Sequence, residues 1–354
     1  MKHRAGALLI VPLALLAACG AEKAAVVTPI QPAPAPLQAT SEPDAAPPTE
    51  VVESREAWDF SSNKGALIRT AHYRLFTTVR EATILKRTPL FLETAIAHYR
   101  TALGPLPAPP IRLDTFLMAN RPQWQRITLE ILGREGERYI NIPRGGFATG
   151  GRAFLWDIGL FDTLAIAAHE GWHQYTQRTF REGLPIYLEE GIATFMEGHR
   201  WLGPAPSFRP WANVERFDQL RKAHGKKELR PLTELLSSAP QDLLMRTGDA
   251  AVNYYAQVWA LTHFLNEGAG GKHQEAFRRL LQDAAGGLLT DGLMTRFGPQ
   301  RASEAAARRR GTEVIEAYFG DLALLETEYT AFVDTLVRAG SRQAVVSGKS
   351  PLQQ

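Results

Sequence analysis

The segment His169-Glu170-Gly-Trp-His173 constrains the fold of this 354-residue chain more than any other. Its two histidines are four residues apart, so on a helix they project from one face and both imidazoles can reach one metal ion. Glu170 lies on the adjoining face, where a carboxylate can act as general base towards a metal-activated water. Apolar residues flank the pair, which suits a helix buried in an enzyme. The sequence therefore predicts a metal-binding helix, with Asp162 as its N-terminal cap.

A second segment, residues 184–197, predicts a helix that supplies a third ligand. Pro185 suits the first turn of a helix. Between His173 and Glu190 there are 16 residues, enough for the first helix to end, turn and return past the metal. Two histidines, one glutamate and an open position form the catalytic type of zinc site. The alternative is that the histidines and Glu170 lie on a solvated helix face and make ordinary hydrogen bonds.

The two segments together resemble the gluzincin branch of the zinc metallopeptidases, in which a second helix carries Glu-Gly-x-Ala-x-x-x-Glu, as residues 190–197 do. The form His-Glu-Gly-x-His-Gln is most similar to bacterial domains of unknown function in the peptidase MA-like group. The resemblance covers residues 140–265. It selects Glu190 over Glu189, which would point about 100° away around the helix. It implies three Zn²⁺ ligands and one base: His169, His173, Glu190 and Glu170.

The same resemblance implies a donor for the oxyanion, which gluzincins often take from a Tyr or His of their helical part. Tyr255 is the first candidate, Tyr254 the second, and His263 lies farther along the same predicted helix. The alternative is that these rings pack in the core. Glu197 and Thr194, on the same helix face as the third ligand, are candidates to hold the metal-bound histidines or an arginine.

The first 54 residues are predicted to lie outside the folded domain. Residues 1–18 have a basic start and an apolar run too short to span a bilayer, as in a signal peptide. They precede Cys19, the single cysteine of the chain. Leu-Ala-Ala-Cys19 resembles the bacterial lipoprotein signal, which implies lipid attachment at Cys19 and a lipid-anchored place in the cell envelope, with Gly20 favouring the outer membrane. The alternative is an ordinary cleaved signal peptide with an incidental cysteine.

The rest of the chain predicts a tether, one α+β domain and a tail. Residues 19–54 are rich in proline and alanine, which favours extended chain. The domain is expected at residues 55–340. Its sheet-and-helix half, 55–183, has a small mixed β-sheet and ends with the histidine helix, as in zincins. A mainly helical half, 184–340, follows, and residues 341–354 are expected to be flexible.

Within the first half, helices are expected at 88–103 and 121–132, and strands at 71–77, 111–117, 139–142 and 152–156. Thr88 is expected to cap the first helix, with Pro89 in its first turn. By the resemblance, strand 152–156 is the sheet edge that pairs with an extended substrate. The alternative is an ordinary hairpin whose glycine-rich tip, residues 145–151, is flexible.

Composition gives no indication of a nucleic-acid partner, because the net charge of +3 is small. The basic run at residues 308–310 predicts a solvated helix face. The expected function is Zn²⁺-dependent hydrolysis of a peptide bond in a peptide or protein substrate of the cell envelope. One alternative is a catalytically silent metal-binding lipoprotein that acts as a binding or assembly module. Another is an amidase acting on cell-wall peptides, which shares the chemistry. An aminopeptidase is less favoured, because Gly-x-Met-Glu-Asn is absent upstream of His169.

Overall fold

A computed structural model describes residues 51–142, 145–244 and 249–353. The predicted signal segment, Cys19 and most of the tether therefore lie outside the described residues. The fold is α+β, as predicted, with a mixed sheet in the N-terminal half and helices in the C-terminal half. In the described part of the chain, no helix is both long and apolar enough to cross a membrane.

The strands of the described residues are β1 (Ser54–Ala57), β2 (Ala66–Arg69), β3 (Tyr73–Thr77), β4 (Leu113–Met118), β5 (Gly146–Thr149), β6 (Arg152–Trp156), β7 (His199–Arg200) and β8 (Ser207–Phe208). The first six form one sheet in the order β1-β2-β3-β4-β6-β5, and β7 pairs with β8. β3, β4 and β6 run parallel, whereas β5 is an antiparallel strand at the edge.

The helices of the described residues are α1 (Ala82–Thr101), α2 (Arg121–Leu132), α3 (Leu160–Thr179), α4 (Ile186–Met196), α5 (Val214–Gly225), α6 (Leu232–Ser237), α7 (Pro240–Leu244), α8 (Ala250–Glu267), α9 (Gln274–Gly286), α10 (Leu289–Phe297), α11 (Pro299–Arg308), α12 (Glu313–Phe319), α13 (Leu322–Leu336) and α14 (Ser341–Val346). α3 and α4 carry the two motifs of the sequence. α1 begins earlier than expected, because Glu81 rather than Thr88 caps it, and Pro89 lies inside the helix.

The hairpin of β5 and β6 corrects two predictions. Its two-residue turn is Gly150-Gly151, with φ of 55° and 70°, the left-handed backbone that such turns require and that glycine adopts without strain. The hairpin partner of β6 is β5 (Gly146–Thr149), so the strand expected at 139–142 is wrong. Those residues form a turn, and Tyr139 is buried because its ring stacks on Phe147. β6 lies between β4 and β5, so the predicted edge is wrong as well: the edge strand is β5.

The two halves share one hydrophobic core. Leu155 of the sheet belongs to the same buried cluster as Leu188 of α4 and Trp259 of α8. A second cluster, around Trp124 and Phe154, covers the other face of the sheet. α3 packs against β5, β6, α1 and α4. The histidine helix therefore lies between the sheet and the C-terminal helices.

The C-terminal segment differs from the predicted flexible tail. α14 packs against α5. Arg342 forms a two-pronged ion pair with Asp218 of α5, with Nη2 2.8 Å from Oδ2. Arg200 donates to the carbonyl oxygen of Val346 at 2.9 Å. These contacts hold α14 against the rest of the fold, although its polar composition had predicted a flexible segment.

Candidate metal centre

The two histidines of α3 converge on one point. Nε2 of His169 and Nε2 of His173 are 3.3 Å apart, as expected for residues one turn apart on one helix face. Gly171 between them leaves room for Tyr99 of α1: a Cβ there would lie 2.5 Å from the tyrosine oxygen, which donates to the carbonyl of Ala168 at 2.8 Å. This contact fixes α3 against α1.

The start of α3 differs from its prediction. The helix begins after Gly159, whose φ is 100°, and no side chain caps it. Asp162 lies in the first turn rather than at the cap position. There its negative charge still suits the positive end of the helix dipole.

Glu190 of α4 brings the third ligand atom. Its Oε2 lies 3.5 Å from Nε2 of His169 and 3.7 Å from Nε2 of His173. These three atoms form the one group in the described residues that could hold a metal ion. Gly191, next to the ligand, allows α4 to approach α8 closely, since a Cβ there would lie 2.6 Å from the carbonyl oxygen of Val258.

The three atoms fit a zinc ion. Tetrahedral zinc with bonds of 2.0–2.1 Å needs ligand atoms about 3.4 Å apart, close to the separations observed. Oε2 of Glu190 is buried and has no hydrogen-bond partner. A buried carboxylate oxygen without a partner is costly unless a cation satisfies it. The residues present therefore fit a tetrahedral site with one open position.

Each histidine is bonded at its other nitrogen to a carboxylate. Nδ1 of His169 is 2.8 Å from Oε1 of Glu197, and Nδ1 of His173 is 3.1 Å from Oε1 of Glu189. With Nδ1–H donating to a carboxylate, the lone pair of Nε2 is left to bind a metal. Glu197 thus takes the role the sequence suggested for it. Thr194 does not, because its hydroxyl donates to the carbonyl oxygens of its own helix. Glu189 was not predicted in this role.

The two carboxylates are themselves held by other side chains. Glu197 accepts from Nη2 of Arg216 at 3.1 Å and from Nδ2 of Asn213 at 2.7 Å. Glu189 accepts from the hydroxyl of Thr176 at 2.6 Å and lies 3.7 Å from Nη2 of Arg309. The imidazole orientations are therefore fixed by bonds that reach α5 and the C-terminal helices.

The electrostatics favour a cation. Burial lowers the pKa of His169, but the carboxylates of Glu190 and Glu197 outweigh it and raise that pKa to about 9. Burial likewise raises the pKa of Glu190, yet His173 and His169 bring it down to about 2. With both histidines neutral, as metal ligation requires, the four glutamates and two arginines around the centre leave two negative charges for a divalent ion to neutralise. These residues are Glu170, Glu189, Glu190, Glu197, Arg216 and Arg309.

Of the remaining predicted residues, two lie beside the histidines and two lie in the core. Glu170 is half-buried beside the histidines, and burial raises the pKa of its carboxyl. The ring centroid of Tyr255 is 6.3 Å from that of His169, and Arg216 lies over the Tyr255 ring at 5.2 Å. Tyr254 is fully buried in the core. His263 stacks on Trp211 and bonds Glu267, so it is a core residue.

Residues 163–286 match the model of a family described as a protein of unknown function, DUF1570. The matched stretch contains both histidines, Glu190 and all of α4 to α9. No curated protein matches the chain, and no solved structure matches it.

Proposed function

We propose that this protein is a zinc-dependent peptide-bond hydrolase of the gluzincin type. The observation that carries the proposal is the spacing of Nε2 of His169, Nε2 of His173 and Oε2 of Glu190, at 3.3 to 3.7 Å, with both Nδ1 atoms held by carboxylates. Glu170 stands beside these ligands without being one of them. A site that only bound metal would have no use for that base.

The residues of the centre divide the chemistry among them. A bound zinc ion supplies Lewis acidity and makes water acidic enough to ionise near neutral pH. The Glu170 carboxylate takes a proton from the attacking water and gives it to the leaving amine. Burial raises the pKa of Glu170, which makes its carboxylate a stronger base. Tyr255, half-buried beside His169, donates its hydroxyl to the oxyanion.

The edge strand supports an extended peptide as substrate. β5 has a neighbour on one side only. It lies along α3: Gly146 is against Ile166, one turn before Glu170, and the carbonyl of Ala148 accepts from Gln177 at 3.2 Å. We propose that an extended peptide adds a strand to β5, beside the helix that carries Glu170 and the two histidines. The proposed substrate is a peptide or protein, and the proposed location is the cell envelope, through a lipid anchor at Cys19.

The first experiment measures zinc per chain and peptide hydrolysis in the full-length protein purified in detergent. We expect about one zinc ion in the parent and in Glu170→Gln, and none in His173→Ala. Hydrolysis of a peptide library by the parent is expected to fall about 10²- to 10⁴-fold in Glu170→Gln, because that variant keeps the metal and loses the base.

Two outcomes would decide against this function. A folded parent that binds no zinc even after zinc is added would rule out the metal centre. A parent that binds zinc, cleaves no peptide and supports cell-envelope integrity as well as Glu170→Gln does would favour the catalytically silent binding module.

A further inference from the structure

The basic run at residues 308–310 is only partly the solvated face predicted from the sequence. The side chains of Arg308 and Arg310 are 54% and 40% exposed, and they pair with Glu313 and Asp242. Arg309 between them is 24% exposed and turns towards α4. It caps α11 with a left-handed backbone, φ 51°, which reverses the chain at this point.

Arg309 binds the start of the helix that carries the third ligand. α4 has no side-chain cap, and the carbonyl oxygen of Arg309 accepts from the free N–H of Ile186 at 2.7 Å. Nε of the Arg309 side chain donates to the carbonyl oxygen of Leu184, also at 2.7 Å. Gly183 leaves room for the guanidinium, since a Cβ there would lie 2.8 Å from Nε. These contacts orient Arg309 rigidly towards α4.

The same guanidinium faces Glu189. Nη2 of Arg309 is 3.7 Å from Oε2 of Glu189, whose other oxygen is bonded to Nδ1 of His173. The Glu189 side chain is only 11% exposed, and a carboxylate that is buried so far is costly without a positive partner. Arg309 provides that charge on the side of Glu189 that faces away from the histidine.

We infer that Arg309 is a positioning residue for the metal centre, which acts through Glu189 to hold His173 with Nε2 towards the metal. The inference rests on the proposed zinc site and adds a residue to it from outside the stretch that matches DUF1570, residues 163–286. A second contact also joins this part of the chain to residues outside that stretch. Glu182, in the connection between α3 and α4, accepts from the backbone N–H groups of Leu289 and Thr290 at 2.6 and 3.1 Å.

The test is a zinc titration of the full-length protein in detergent against a chelator of known affinity. Arg309→Gly removes the guanidinium and keeps the left-handed backbone accessible. We expect its zinc dissociation constant to rise about 10-fold, the lower end of what outer partners of metal ligands contribute. The matched controls, Arg308→Gln and Arg310→Gln, are expected to bind zinc as the parent does. Arg309→Lys keeps the charge without the planar donors, and we expect a smaller rise of about 3-fold, which is measurable even if the glycine variant fails to fold.

A double-mutant cycle with Glu189→Gln separates positioning from general stability. If Arg309 acts through Glu189, Arg309→Gly should have little further effect on zinc affinity in the Glu189→Gln background. A full additive loss in that background, or parent-like zinc affinity in Arg309→Gly, would overturn the inference while leaving the zinc site intact. A parent that binds no zinc would overturn the proposed function and the inference together.

Discussion

At the scale of residues, one short helix and the residue that follows it carry three of the glutamates around the candidate metal centre. Glu189 bonds Nδ1 of His173, Glu190 is the candidate third ligand, and Glu197, just past the end of α4, bonds Nδ1 of His169. Glu189 and Glu190 are adjacent, so their side chains diverge by about 100° around the helix. Because the two imidazoles approach α4 from α3, adjacent glutamates can face opposite nitrogens of His173: Glu189 bonds Nδ1, and Oε2 of Glu190 lies 3.7 Å from Nε2.

Glu197 offers the cleanest residue-scale prediction. Glu197→Gln removes the negative charge that Nδ1 of His169 and Arg216 share. We expect zinc affinity to fall about 10- to 100-fold, as for other outer carboxylates of metal-bound histidines. The measurement is a competition titration with a chelator, and Glu93→Gln is the control, because Glu93 likewise bonds Nδ1 of a histidine, His72, which is not one of the three candidate ligands. Unchanged affinity in Glu197→Gln would show that this carboxylate does not support His169.

The grouping of His169, His173 and Glu190 was predictable from sequence, whereas two of the side chains that hold this group were not. His169 and His173 are related by helix periodicity, and Glu190 follows from the second motif. Glu189 was set aside because it points away from the metal, yet that direction brings it to Nδ1 of His173. The role of Arg309 depends on how α11 ends, more than 100 residues along the chain from the ligands. No local pattern contains that information.

At the scale of elements, α4 depends on its close packing against α8. In Gly191→Ala, the new Cβ would lie 2.6 Å from both the Val258 carbonyl oxygen and the Thr262 hydroxyl, so the two helices must separate. We expect the free energy of unfolding, measured in urea without metal, to fall by about 1–3 kcal/mol, and zinc affinity to fall as well, since Glu190 moves with the helix.

Gly225→Ala is the matched control for this prediction. Gly225 ends α5, and a Cβ there would meet no atom within 4 Å. We expect it to be neutral or to stabilise by up to about 1 kcal/mol, since alanine is the better helix former. Equal effects of the two substitutions would mean that helix propensity, rather than the contact with α8, governs Gly191.

Elements with strong local signals were predicted better than their partners. α2 and β6 have the predicted bounds, and Asn120 caps α2. β5 was missed because it is short and opens with a glycine. The turn at 139–142 was taken for a strand because aromatic and β-branched residues favour strands, whereas Tyr139 is buried there by stacking on Phe147. The edge of a sheet depends on strand order, which one sequence does not reveal.

At the scale of the whole molecule, the predicted border at 183/184 divides a single core. Leu155 and Leu188 come from opposite sides of that border and belong to one buried cluster. α1 of the first half also packs against β8 of the second half. Sequence patterns showed which residues are buried, but the assignment of their burial partners required the structure.

His98 lies where α1 meets β8. Because Nε2 of its ring is buried there, we expect it to make the stability of the whole molecule depend on pH. Its ring stacks on Phe208, with centroids 4.9 Å apart, and its Nε2 is buried without a partner. Burial lowers the pKa of His98 to about 4, from an ordinary value of 6.5. Between these values the unfolded chain binds a proton that the folded protein excludes. The contribution of neutral His98 to the free energy of unfolding is therefore complete above about pH 6.5 and is lost as the pH falls towards 4.

The loss can be measured by urea unfolding of the zinc-free protein at several pH values. Because a tenfold change in proton affinity corresponds to about 1.4 kcal/mol, His98 should account for a fall of about 3 kcal/mol between pH 7 and pH 4. In His98→Gln that part of the fall should be absent, although the variant starts from lower stability because it loses the ring contact with Phe208. Parallel stability curves for the parent and the variant over this range would show that His98 takes up its proton as readily in the fold as in the unfolded chain.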